Sequence, residues 1–556
     1  MGDLTAEPGA DGIEIAVDGP DIVLVQTEPY GPLQPAAQTG VEIELGQRGR
    51  ALSIDLVALR GVSRVLLRWT RPLPSDVLIL GDAWERTYGE LSWRGHQPER
   101  PLPWMFLVHD RAAATTWGAG VEVRGGAMAF WTVDPHGFSL WLDVRSGDSP
   151  VRPGTRRIHA ATIHAVRGGE RPFLLHGALA GLLCPDPLLP ATPLVGANNY
   201  YYAYGKDFDR HAVVRDARTI AELVGDHPVR PYGVVDDGWS AGSIADGRPG
   251  TPGPWDRPRR PQFGAMSDLA DAVRAEGVRP GIWYRPLLRE ALPAGGHGWP
   301  RDGAYAMDPS DPATLEIVAT DIARFVQWGF EFIKHDFSTW DAFGRWGSAM
   351  GASITGRAWQ PATEPHPARG WEPADVTRTN AEVVVDLYRT IRAAAGDSVI
   401  LGCDVIGHLA AGNTHAQRIG DDTSGLIWER TRRIGVNTLA FRLAQHGRFF
   451  VADADCVAST RHTDWAKNRQ FLDLVARSGT ALFVSVDPAT RTPAVDDDLS
   501  AALRLALDGG IPGGIEPLDW MTTTTPERWQ GGDTVFTYDW IERAGADPFE
   551  WGEFNR

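Results

Sequence analysis

Two patterns of apolar and polar positions divide the chain. Up to about residue 185, short runs of alternating or β-branched character recur at 22–25, 41–45, 52–56, 65–67 and 77–80, then at 104–108 and 138–142. Turn-forming residues separate them at the spacing of a sandwich, and no long stretch of 3.6-residue period intervenes. An N-terminal β-sandwich is expected over residues 1–188.

From about residue 193 apolar strand-like runs alternate with amphipathic helical ones. The pattern predicts strands at Val195–Tyr202, Pro231–Val235, Gly281–Tyr284, Phe330–Lys334, Val399–Cys403, Gln417–Gly420, Phe449–Ala452 and Ala481–Val486. Predicted helices lie between most of them, at Ala212–Val224, Ser267–Glu276, Pro312–Trp328, Thr379–Ala395, Trp428–Gln445, Trp465–Arg477 and Leu499–Leu507. Eight strands interleaved with helices make the pattern of a (β/α)8 barrel, expected over 189–509. The weakest link joins the fifth and sixth strands, where only His408–Ala416 is available. Residues 510–556 form a short C-terminal appendage with one predicted strand, Thr534–Tyr538. The expected fold class is multidomain β plus α/β.

Composition narrows the function. The 556 residues carry a formal charge of −17, which disfavours nucleic acid and anionic lipid as partners and suits a neutral substrate. Three widely spaced cysteines (Cys184, Cys403, Cys456) match neither a zinc pattern nor a disulfide framework. The N-terminus lacks the basic and apolar regions of a secretory signal, and no run is long enough for a membrane span. A reduced, cytoplasmic enzyme without a cofactor is the expectation. There are 22 tryptophans, several beside Gly or Asp in loops, where an indole face can stack on a pyranose; a core role is the equal alternative.

Barrel active sites lie at the C-terminal ends of the strands. There the sequence places carboxylates repeatedly: Asp236-Asp237 after strand two, Asp336 after four, Asp404 after five, Asp421-Asp422 after six, Asp453 and Asp455 after seven, Asp487 after eight. Some will be helix caps, but six strands ending this way imply an acidic pocket. Two carboxylates across a pocket perform glycoside hydrolysis, one attacking the anomeric carbon and one protonating the leaving oxygen. Asp336 is the expected nucleophile. Lys334, two residues before Asp336, projects to the same side of its strand and would favour an ionised carboxylate or donate to a sugar hydroxyl. A plain salt bridge is its alternative.

At these residues the chain resembles clan D of the glycoside hydrolases, the α-galactosidases (melibiases) of families 27 and 36. The resemblance covers about 195–490 and extends loosely to the preceding sandwich. It rests on Asp236-Asp237-Gly238-Trp239, Lys334-His335-Asp336 and Gly420-Asp421-Asp422-Thr423, in that order on strands two, four and six. It implies a retaining α-glycosidase acting on an oligosaccharide or other glycoside, with galactose as the expected sugar. The same clan leaves α-N-acetylgalactosaminides, α-glucosides and β-L-arabinopyranosides open. It implies further that Asp421 is the expected acid/base, that Asp236 and Asp237 hold O4 and O6, that Lys334 approaches O3 or O4, and that Cys403 lies near C2. Trp239, Trp283, Arg418 and Asp422 complete the expected substrate contacts. Arg418 could equally be a partner of Asp421, and Asp422 is a rival to Asp421 as acid/base. Large enzymes of this architecture often associate, which leaves a homo-oligomer open. His335, Arg285 and Asp404-Val405-Ile406-Gly407 depart from the family pattern and loosen the inference to galactose.

The long loop 340–371, with Trp340, Trp346, Trp359 and Trp371, is expected to be a lid on the aglycone side. Three other readings compete. Gly238-Trp239-Ser240-Ala241-Gly242 matches a serine-hydrolase elbow, yet the Gly- and Pro-rich stretch after it cannot form the helix that motif requires. His408, His415, Asp453 and Asp455 lack the spacing of a metal site. A non-catalytic carbohydrate-binding protein would share the aromatic walls without needing both Asp336 and Asp421.

Overall fold

The computed structural model describes residues 13–29, 31–169, 171–205, 208–245, 248–344, 373–543 and 545. The chain divides into two compact units. One comprises Met1–Trp84, Ser92–Pro187 and Trp346–Asp386; the other comprises Glu85–Leu91, Leu188–Arg345 and Leu387–Arg556.

The first unit holds two antiparallel sheets. One runs Val41–Arg48, Ala51–Ala58, Gly154–Gly168, Thr115–Val121, Met105–Asp110, Val77–Gly81, with Ile13–Ile15 also on Gly154–Gly168. The other runs Gln34–Pro35, Ile22–Gln26, Arg64–Trp69, Gly137–Asp143, Met128–Asp134, Leu102–Pro103. Alternation puts one side of each strand inward, and there the sheets meet: Phe106 of the first lies 5.1 Å from Trp131 and 5.6 Å from Phe138 of the second, ring centre to ring centre. Residues up to about 185 read as β throughout, yet that stretch ends in a helix, Pro172–Leu183. Its sequence, PFLLHGALAGLL, is apolar almost all round, so it carries no amphipathic period to read.

The second unit is built on a parallel barrel. Its strands, in chain order, are β1 (Val195–Asn198), β2 (Tyr232–Val235), β3 (Arg279–Tyr284), β4 (Phe332–His335), β5 (Val399–Gly402), β6 (Ala416–Arg418), β7 (Val451–Asp453) and β8 (Leu482–Val486). Each pairs in parallel with the next from β1 to β7, and β8 returns to β1. On its other side β8 pairs in parallel with a short ninth strand that follows β7, Val457–Ser459, and Asp453 at the end of β7 makes a parallel bridge with Ala481. The interior is filled by Tyr232, Val234, Phe332, Leu401, Ala416 and Phe483, all buried. That packed plug is why polar side chains collect only at the strand ends.

Helices Arg210–Val224, Met266–Ala275, Pro312–Gln327, Asn380–Ala394, Trp465–Ser478 and Pro493–Leu507 follow the expected order. Two places differ from expectation. Between β5 and β6 stands a single turn, Gly407–Ala410. The expected helix 428–445 is interrupted by a π-helical segment, Arg432–Val436. After the barrel, Ile515–Pro517, Arg528–Gly531 and Thr534–Thr537 form a three-stranded antiparallel sheet, where one strand was expected. No helix among the described residues is long and apolar enough to cross a membrane. Trp346, Trp359 and Trp371 of the expected lid lie outside the described residues.

Candidate active site

The expected carboxylates converge at the C-terminal ends of the barrel strands in two connected groups. The first is built on β1 to β4. Asp336 follows β4, where its N–H still pairs with the Tyr284 carbonyl at 2.9 Å. Its Oδ1 accepts from the backbone N–H of Phe337 at 2.8 Å and of Asp404 at 3.1 Å. Its Oδ2 accepts from the Trp283 indole N–H at 3.1 Å. Three donors thus fix the direction of one carboxylate. The chain leaves it through Phe337 at a φ of 63°, a left-handed conformation uncommon for a bulky residue and found most often at functional sites.

Lys334 projects to the same side as Asp336 and donates to Asp236 Oδ2 at 2.8 Å. The salt bridge left open by the sequence is therefore present, inside the site. Burial weakens the Lys334 ammonium, yet Asp236, Cys403 and Asp336 outweigh burial and hold it well above the ordinary lysine range. Asn198 at the end of β1 donates to the same Asp236 oxygen at 2.5 Å. Asp237 is pushed up to about 6 by burial and by the charge of Asp236. The turn carrying both acids requires Gly238: at its φ of +112° a Cβ would stand 2.3 Å from the Gly205 carbonyl oxygen.

The second group is built on β5 to β7. Asp421 has its Oδ1 at 3.0 Å from Arg86 and its Oδ2 at 2.8 Å from Arg430. Asp422 has its Oδ1 at 3.1 Å from Arg418 and 3.6 Å from Arg86, and its side chain is 38% exposed against 12% for Asp421. The neighbours diverge chemically. Burial raises Asp421, and the charge of Asp422 adds to it against the pull of Arg86 and Arg430. Asp422 is held well below the carboxylate range; burial opposes this, and Arg418, Arg86 and Arg430 prevail.

Cys403 joins the two groups. Its buried thiol lies 3.5 Å from Arg418 Nη1. Burial first, then the charge of Asp336, keeps the thiol protonated far above its ordinary range, while Arg418, Lys334 and Arg86 act the other way.

Not every expected contact belongs to the pocket. Trp239 is fully buried at 0% exposure; its indole N–H donates to the Trp283 carbonyl at 2.9 Å, and its ring packs against Trp255 and Phe325. It is a core residue that steadies the strand carrying Trp283, a correction to its expected place on a sugar-binding wall. Trp283 is spent on Asp336. Arg418 is a partner of carboxylates, as one reading allowed, but of Asp455 at 3.0 Å and Asp422 rather than of Asp421. Asp453 is buried and pushed up to about 6, mainly by burial. Asp487 is a cap: its side chain accepts from Ala489 N–H at the start of a short 3₁₀ turn.

Competing chemistry finds less support in the geometry. Ser240 is fully buried; its Oγ lies 2.7 Å from Ser243 Oγ and accepts from Gly253 N–H at 2.7 Å. His415 Nδ1 accepts from Ile400 N–H at 3.0 Å, and His408 stacks edge-on to Phe449.

Arg86, Arg430 and Asn198 were missed by sequence reasoning. Asn198 carries the one available signal, a polar residue closing the first barrel strand. Arg430 sits eight to nine residues past the acids it touches, on a helix, and Arg86 lies in the part of the chain that reads as a sandwich.

No protein-family model matches this sequence. No curated protein matches it either. Solved structures do share its fold. An α-galactosidase from Thermus thermophilus, in complex with p-nitrophenyl α-D-galactopyranoside, is 16% identical with a TM-score of 0.56 over 89% of this chain and 99% of that one. The GH36 α-galactosidase AgaA from Geobacillus stearothermophilus is 14% identical with a TM-score of 0.55, covering 86% of this chain and 68% of that one. An α-galactosidase from Lactobacillus brevis is 12% identical with a TM-score of 0.57, covering 84% and 65%. A barrel joined to sheet domains is thus an architecture this chain shares with GH36 α-galactosidases.

Proposed function

We propose that the protein is a retaining α-glycosidase, an α-galactosidase releasing terminal α-linked galactose by double displacement through a covalent glycosyl-Asp336 intermediate. One observation carries the reading: at one barrel mouth, a carboxylate fixed by three N–H donors (Asp336) shares a site with a second carboxyl that burial lifts above the ordinary range (Asp421). A nucleophile needs a fixed direction of attack, and a general acid needs a proton near working pH.

In this reading Asp336 attacks the anomeric carbon while Asp421 gives its proton to the leaving oxygen. Asp421, now a carboxylate, takes a proton from the water that displaces Asp336. Asp236, Asp237 and Lys334 hold sugar hydroxyls, Cys403 lies under C2, and Asp422 remains ionised as a sugar or loop ligand. The expected domain division goes with it: a β-sandwich over 1–188, the barrel over 189–509 and an appendage over 510–556. The bound ligands of the T. thermophilus enzyme, p-nitrophenyl α-D-galactopyranoside and stachyose, support a galactoside as the first substrate to try.

The test is a panel of aryl α-galactoside, α-glucoside, α-N-acetylgalactosaminide and β-L-arabinopyranoside, run with the wild type and Asp336→Ala. Turnover should be greatest on the galactoside and vanish in the variant. Binding without turnover of any member would leave a carbohydrate-binding protein.

A further inference from the structure

A residue beyond the reach of strand-end reasoning flanks the proposed acid/base. Glu85–Leu91 falls between two stretches of the first unit along the chain, yet belongs to the barrel unit. Thr87 bridges Gly420 in parallel register. Its N–H donates to the Ile419 carbonyl at 3.0 Å, and its own carbonyl accepts from Asp421 N–H at 2.7 Å. The segment continues the pairing of β6 past Arg418 and delivers Arg86 onto the loop that bears both acids. Arg86 is 6% exposed. Its Nη2 is 3.0 Å from Asp421 Oδ1 and its Nη1 is 3.6 Å from Asp422 Oδ1.

The neighbouring guanidiniums are anchored differently. Arg418 is tied to Asp455, itself buried, at 3.0 Å. Arg430 donates through Nε to the Asp422 carbonyl at 2.6 Å and through Nη2 to Asp421 Oδ2. Arg86 reaches the side chains of both acids. Other ionisable groups around this carboxyl pair are Glu85 and Tyr88 beside Arg86, Tyr200, Tyr201 and Tyr204 after β1, Lys334 on β4 and Asp404 after β5.

We propose that Arg86 is a positioning residue that sets the proton affinity of Asp421, so that the same carboxyl can give up a proton in glycosylation and take one from water in deglycosylation. The physical reason is a balance of two opposing effects. Burial raises the proton affinity of Asp421, which suits an acid, and a base for the second step needs an opposing pull toward the carboxylate. A guanidinium at hydrogen-bond distance from one oxygen stabilises the carboxylate that the first step creates. Because it arrives on a backbone-paired segment, it is held in place before substrate binds. The catalytic consequence rests on the glycosidase reading; the effect on Asp421 does not.

The test uses full-length protein carrying Arg86→Met, which keeps bulk without charge, and Arg86→Lys, which keeps charge. Asp421 is titrated directly by carbon NMR on carboxyl-labelled aspartate, its signal assigned by its loss in Asp421→Asn. Arg86→Met should raise the midpoint by about one unit or more, the scale of a lost close opposite charge, and Arg86→Lys should restore most of it. With an aryl galactoside, the basic limb of the wild-type pH profile should move up in Arg86→Met. A burst of released phenol should appear as deglycosylation slows, with kcat and KM falling together. Unmoved titration in a folded Arg86→Met protein overturns the proposal. Failure of the glycosidase reading shows separately, as no wild-type turnover, and the titration still decides the role of Arg86.

Discussion

Asp421 and Asp422 are adjacent and chemically identical, yet their surroundings shift them in opposite directions. Asp421 sits deeper and is raised by burial, whereas Asp422 is lowered by the guanidiniums around it. Replacing Asp421 with Asn should cost about 10²–10⁴-fold in kcat/KM on glycosides with poor leaving groups and much less on dinitrophenyl glycosides, whose leaving group departs without a proton. Asp422→Asn should act mainly on KM. A plot of rate against leaving-group acidity checks this, and a steepened plot for Asp422→Asn alone would exchange the two assignments. The sequence held both candidates open because what separates them is supplied from elsewhere: Arg430 follows on a helix, and Arg86 comes from a distant segment. Lys334 and Asp336 were legible because a two-residue period places both on one side of a strand. Trp239 was not, since nothing in a sequence distinguishes an indole facing sugar from one facing Trp255.

At the scale of elements, the barrel strands were legible and their ends less so. The first strand stops at Asn198 and turns into the short helix Tyr200–Ala203 where a continuous strand to residue 202 was expected; three tyrosines in a row carry strand propensity, and only the hydrogen bonds decide. The π-helical break at Arg432–Val436 left no mark on the apolar period. Three histidines packed at these elements make a further prediction. Burial lowers His335, His415 and His446 to about 4 from an ordinary 6.5. Two accept strand N–H groups through Nδ1, His415 from Ile400 and His446 from Ala452, which requires the neutral ring. Both nitrogens of His335 lack a hydrogen-bond partner among the described residues. Between pH 6.5 and 4 the unfolded chain binds these protons and the folded one does not, so stability is full above the upper value and falls as pH drops through that window. Thermal melts should show the decline, and His335→Phe should flatten it. An unchanged slope would mean that His335 is not held neutral by its burial.

At the scale of the molecule, the switch of period near residue 190 falls beside one boundary between the two compact units, Pro187 to Leu188. The rest of the division was not legible in the sequence. Glu85–Leu91 belongs to the barrel unit although strands of the first unit lie on both sides of it in sequence, because its pairing through Thr87 with Gly420 is set by contacts that leave no periodic trace. The fold is shared with α-galactosidases at 12–16% identity, a distance at which chemistry has to be argued from the site. In the proposed mechanism Asp336 attacks and Asp421 manages the proton. Azide supplied to glycine variants with an activated aryl α-galactoside tests it most directly, because azide fills the space of whichever carboxylate is missing. Asp336→Gly should be inactive alone and give β-galactosyl azide on rescue, while Asp421→Gly should give α-galactosyl azide. Hydrolysis by Asp336→Gly at the wild-type rate, or α-azide from that variant, would contradict the account.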